Sequence, residues 1–136
     1  MIFIDRCISN KIATALKALR DDVRWLEDDF PPNAKDSDWL REVGTRGWLV
    51  ITRDKKIRTR PGERQALLDN HVGAFCLTQK DNPKRWDIFK LVVGSLDEME
   101  QIFADNERPF LYGVDRLGKF KRIPLTSPGQ ASSKPT

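Results

Sequence analysis

The sequence predicts an α/β domain, with a central, mainly parallel β-sheet sandwiched between helices in three layers. Three short runs are apolar at every position: Met1-Ile2-Phe3-Ile4, Trp48-Leu49-Val50-Ile51 and Ala74-Phe75-Cys76-Leu77. Such runs are expected of strands covered on both faces. Amphipathic helical patterns separate them, and strands that alternate with helices require crossovers and therefore parallel pairing. A chain of 136 residues holds one such domain, because two would leave each half with too little core.

After the first strand, Ile12, Ala15, Leu16 and Leu19 make one helical face behind Ser9 or Asn10 as N-cap. Val23 and Trp25 alternate with charged neighbours, as in a short and more exposed strand, and Pro31-Pro32 ends it in a loop. Asp36 is the expected N-cap of a second helix that runs through Trp39, Leu40 and Val43 and stops at Gly44 or Gly47. A third, residues 63–70, starts near Pro61. Beyond Pro83 an apolar stripe follows Trp86, Phe89, Val93, Leu96, Met99 and Phe103. Gly94, with Ser95 and Glu98 at capping-box spacing, leaves one helix or two open. Residues 110–114 and 120–123 are expected strands joined by a turn at Gly118. Residues 126–136 lack periodicity and are expected to form a disordered tail. Trp39, Trp48 and Trp86 fall on predicted core faces, so packing is expected of them rather than base stacking.

Composition excludes several functions. No apolar stretch approaches the roughly 20 residues of a membrane span, and Asp5-Arg6 cuts the opening run short of a secretory signal. A cytoplasmic protein without membrane contact is expected. Cys7 and Cys76 cannot build a disulfide framework and are expected to be small buried hydrophobes. With His71 as the single histidine, a Cys/His zinc shell is excluded, and any metal must be held by oxygen. Charge is segregated: residues 53–64 carry six cations against Asp54 and Glu63, whereas residues 27–38 carry five acids against Lys35 alone. A local cationic block is the footprint expected for a polyanion, although a charge run also serves as a solvated face.

Asp5 directly follows the first strand, and Asp54 follows the Trp48-Leu49-Val50-Ile51 strand. Both should project from the same carboxyl edge of the sheet, where α/β folds build their sites. Asp36, at a helix start, lies above that edge. Carboxylates gathered there repel one another unless a cation neutralises them, and Mg²⁺ or Mn²⁺ suits an oxygen donor set. Each acid also has a plain structural role, Asp36 as an N-cap and Asp54 as a turn residue. A dehalogenase-type phosphatase would need an Asp where Cys7 stands, and a receiver domain an acidic pair before the first strand ends. A P-loop would need a glycine-rich turn ending in Lys-Ser/Thr. None of these patterns is present.

Phe3-Ile4-Asp5, Asp36-Ser37-Asp38-Trp39-Leu40 and Ile51-Thr52-Arg53-Asp54-Lys55 together resemble the PIN-like superfamily, in particular its branch related to VapC-type toxins. The likeness spans about the first hundred residues, and its most specific piece is the strand running into Thr52-Arg53-Asp54. It implies a PIN-like domain over residues 1–125, with Asp5, Asp36 and Asp54 as catalytic metal ligands and Thr52 orienting the last of them. It further implies Mg²⁺ or Mn²⁺ as cofactor and cleavage of single-stranded RNA, as by the toxin of a toxin–antitoxin pair. A cognate antitoxin protein and a homodimer are the partners it suggests. Lys55 and Lys56 stand where many members place a fourth acid; Asp38 is the candidate substitute, though two residues after Asp36 it would face away. Arg53, Lys55, Lys56, Arg58 and Arg60, with Arg6 beside Asp5, would hold RNA phosphates with little sequence preference. A non-catalytic nucleic-acid- or partner-binding module of the same fold is the alternative, and DNA in place of RNA is not discriminated.

Overall fold

A computed structural model describes residues 1–80 and 82–125. Its elements in chain order are β1 (Ile2–Ile4), α1 (Asn10–Lys17), β2 (Val23–Trp25), α2 (Leu26–Asp29), α3 (Asp36–Arg46) and β3 (Leu49–Thr52). They continue with α4 (Lys56–Thr59), α5 (Pro61–Asp69), β4 (Gly73–Leu77), α6 (Arg85–Asp105), β5 (Phe110–Val114) and β6 (Phe120–Arg122). The sheet order is β2-β1-β3-β4-β5-β6, with every pair parallel except the last. The expected α/β sandwich is therefore present. Among the described residues no helix is long and apolar enough to cross a membrane.

The all-apolar strands have a simple cause. Alternate side chains of each strand enter two separate cores, one per face. Ile2, Ile4, Leu49, Ile51, Phe75 and Leu77 pack with α1 and α6. Phe3, Val50, Ala74 and Cys76 pack with Leu26, Trp39, Leu40, Val43, Ile57 and Leu67 on the other side. Phe3 is stacked on Trp39, with ring centroids 5.4 Å apart. The short strands tolerate no polar residue until their carboxyl ends, which is where the acids begin.

Several local expectations are corrected. Lys35, not Asp36, is the N-cap of α3; the Asp36 carboxylate takes an indole N–H instead of a backbone one. Leu19 lies beyond the end of α1 and is 87% exposed. Trp86 is 64% exposed because the first turn of α6 overhangs the core, where the ring stacks on Phe89. The open choice at Gly94 resolves as one continuous helix of 21 residues, with Ser95 buried inside it rather than capping. Two short helices, α2 and α4, lie in stretches to which the sequence assigns no helix. The tail expected from residue 126 lies outside the described residues.

Gly47 ends α3 in the left-handed region (φ 68°), which favours glycine. Gly44 serves close approach: a Cβ there would lie 1.9 Å from the Asn70 carbonyl oxygen at the end of α5. Gly44→Ala must push two packed helices apart and is expected to cost about 1–3 kcal/mol, read as a lower urea midpoint at unchanged slope.

Candidate active site

Parallel pairing sets Ile4 beside Ile51, so the chain leaves β1 and β3 at the same edge with Asp5 opposite Thr52. Asp5 N–H donates to the Ile51 carbonyl at 3.0 Å. The buried Thr52 hydroxyl donates to Asp5 Oδ2 at 2.8 Å and accepts the Asp54 N–H at 3.1 Å. One hydroxyl thus joins the acid after β1 to the backbone of the acid after β3. Burial raises the Asp5 pKa and the nearby Asp36 charge adds to this, while hydrogen bonds from Thr52 and Cys7 oppose it.

Cys7 differs from the buried hydrophobe expected. The residue is exposed, yet its thiol lies 3.5 Å from Asp5 Oδ2 and 3.3 Å from Thr52 Oγ1, and it accepts the Arg53 N–H at 3.1 Å. Loss of water and the Asp5 charge push it up to about 12, so it is no thiolate nucleophile near neutrality. Cys76 is buried as expected, and its thiol is pushed up to about 11 mainly by loss of water.

Asp36 opens α3, where Trp39 Nε1–H donates to its Oδ1 at 3.0 Å. The loop leading to it is tied to β1 by Arg6, whose two N–H groups reach the carbonyls of Pro32 (3.0 Å) and Ala34 (3.2 Å). Asp54 Oδ1 accepts the Lys56 N–H at 3.0 Å, a turn that starts α4. Asp38 turns outward to Arg41. The fourth acid in the field of this edge is Glu63, third residue of α5: burial raises its pKa first, then the charges of Asp36 and Asp54. Sequence reading passed over it because a Glu in the first turn of a Pro-started helix is ordinary complement to the helix dipole.

Four carboxylates without a histidine suit a hard, oxygen-seeking divalent cation. Among the described residues no three His, Cys, Asp or Glu side chains are close enough to enclose an ion by themselves. The edge therefore fits an ion held by one or two of Asp5, Asp36, Asp54 and Glu63, completed by water or phosphate, as Mg²⁺ commonly is. It does not fit a closed protein cage.

The two charge blocks differ in how they are neutralised. In the acidic one, Asp28, Asp29 and Asp38 pair with Lys17, Arg24 and Arg41. Among the described residues no cation of residues 53–64 forms an ion pair; the pairs draw on Lys17, Arg20, Arg24, Arg41, Arg46 and Lys90. Lys55, Lys56 and Arg60 are exposed. Arg53, Arg58 and Arg64 are half-buried, and each has a buried Nε without a protein partner among the described residues. Asp5, Asp36, Asp54 and Glu63 likewise form no ion pair there.

Over 113 residues the chain is 28% identical to a phosphoribosylaminoimidazole-succinocarboxamide synthase of Saccharophagus degradans, covering 79% of this chain and 31% of that protein. The chain thus spans less than a third of that relative's length. No solved structure matches it. A family profile described as PIN like domain matches residues 1–79. Because that stretch is more than half of the chain and carries all four acids of the strand edge, the chain belongs to the PIN-like domain family.

Proposed function

We propose that the protein is a metal-dependent endoribonuclease that hydrolyses phosphodiester bonds of single-stranded RNA, related to VapC-type toxins and acting as the toxin of a toxin–antitoxin pair. The observation that supports this most is the juxtaposition of four acids with the cationic segment of residues 53–64, both without ion pairs among the described residues. A divalent ion bound there, Mg²⁺ or Mn²⁺, supplies neutralisation of the phosphate oxygens and acidifies a water. Asp5, Asp36, Asp54 and Glu63 are the residues to hold it. Thr52 fixes Asp5 relative to the Asp54 backbone, and Arg53, Lys55, Lys56, Arg58 and Arg60 hold the RNA backbone. Arg6 uses two of its five N–H groups to hold the loop before Asp36, and the others serve an RNA phosphate beside Asp5. A cytoplasmic location, a cognate antitoxin and a homodimer belong to the same reading. The synthase activity named for the relative is not carried over, since the likeness covers 31% of that protein.

Asp54→Asn tests the proposal. Asn keeps an acceptor for the Lys56 N–H, so the fold is retained, while cleavage of single-stranded RNA by the purified protein should fall about 100-fold or more. Undiminished cleavage would refute the assignment. The second reading, a non-catalytic binding module, is favoured by the absence of three mutually close ligands among the described residues. Calorimetric titration with Mn²⁺ decides: heat that disappears in Asp5→Asn supports the nuclease, and no heat in the wild type supports the module.

A further inference from the structure

We propose that a basic groove running from Arg58 across the carboxyl ends of β4 and β5 to β6 binds the backbone of single-stranded RNA extending beyond the acidic centre; this rests on the nuclease reading above. The groove encloses about 720 Å³, and its lining includes Arg58, Lys80, Lys119, Lys121 and Arg122 against one acid, Asp115. That acid is already committed. Its Oδ1 accepts the N–H groups of Leu117 (2.9 Å) and Lys119 (3.0 Å) within the β5–β6 turn. None of the five cations forms an ion pair among the described residues. Five cations against one carboxylate in a single groove attract a polyanion, and phosphates are its commonest repeating form.

The groove is continuous with the acidic edge. Arg58 stands on α4, which the Asp54 turn begins. Cys76 Sγ at the end of β4 lies 3.8 Å from the Asp54 carbonyl oxygen, and the Arg58 charge acts on the same thiol. Thr78, two residues on, already lines the groove. A strand held at the acids by its scissile phosphate therefore meets Arg58 next and then the lysines. Charge on an edge strand also prevents pairing with another sheet, and this alone would account for Lys119 and Lys121. It does not account for Arg58 and Lys80, which come from other elements to the same groove. Arg122 is anchored over the Tyr112 ring at 5.6 Å, so the adaptable contacts are Lys80, Lys119 and Lys121, all exposed.

The test measures binding of labelled oligouridylates of about four and about twelve nucleotides, the span of common single-strand sites. The protein carries Asp54→Asn to prevent cleavage. The longer oligomer should bind at least about 10-fold more tightly. Adding Lys80→Ala, Lys119→Ala and Lys121→Ala should remove that advantage and reduce the slope of log affinity against log salt by about two, at roughly 0.7 per phosphate. The same three positions as Arg should retain both. Lys121→Ala alone, which guards against a misfolded triple variant, should reduce the slope by about 0.7. Unchanged length dependence and slope in the triple Ala variant overturn the groove while leaving the nuclease reading intact. Failure of the Asp54→Asn protein to bind either oligomer overturns both. Loss of polyglutamate binding with RNA affinity unchanged assigns the groove to an acidic protein and overturns the proposal.

Discussion

Asp5→Asn is expected to reduce RNA cleavage about 100-fold or more and, at the same time, to raise the thermal midpoint at pH 7 in metal-free buffer. The two effects share one cause. Asp5 is 6% exposed, and burial holds its pKa above the ordinary 3.8, with the charge of Asp36 adding to the shift. A carboxyl raised in the folded state contributes stability that is complete below the unfolded value and is lost as pH rises through the folded one. As pH rises through the raised folded pKa the wild type loses it, whereas Asn has no charge to bury and can still accept from Thr52. The gain of Asp5→Asn should therefore shrink as pH falls and vanish below about pH 4, near the unfolded carboxyl value. Glu63 shifts in the same direction, so Glu63→Gln should show a smaller version. Mn²⁺ should reverse the order by mass action, stabilising the wild type by about 2.7 kcal/mol at 100 times Kd and the variant much less. A metal-free midpoint that falls in Asp5→Asn would contradict the buried-charge account.

Trp39 separates packing from positioning. Its ring is buried to 1% exposure and stacks on Phe3, while Nε1–H reaches Asp36 Oδ1. Trp39→Ala should cost about 3–5 kcal/mol, a large share of the roughly 5–15 kcal/mol available to a domain. Urea denaturation should show a much lower midpoint. Trp39→Phe keeps an aromatic ring against Phe3 and removes only the donor. It should stay folded, yet bind Mn²⁺ about 10-fold more weakly, as loss of an outer-shell partner does. Equal Mn²⁺ affinity in Trp39→Phe would show that Asp36 needs no such guide.

The sheet was legible because both its faces are covered, which forbids polar residues within Phe3, Val50 or Phe75 and makes their runs stand out. The placement of Asp5 and Asp54 was legible for the complementary reason: polar residues return at the carboxyl ends of β1 and β3. Tertiary context decided the rest. The helical stripe through Trp86 assumed that core accompanies the whole helix, but the first turn of α6 extends past it. Glu63 was hidden because nothing local distinguishes a dipole-complementing Glu from one brought beside Asp36 and Asp54 by the packing of α5. Asp36 has the composition of a cap, and only the indole three residues later reveals its other employment.

Thr52 has one proton and commits it to Asp5, while its oxygen takes the Asp54 N–H. Two of the acids are consequently splinted to the sheet, whereas Asp36 and Glu63 ride on helix starts. Displacing Asp5 or the Asp54 backbone therefore means breaking hydrogen bonds at the strand ends, whereas Asp36 and Glu63 move only as α3 and α5 shift against the sheet.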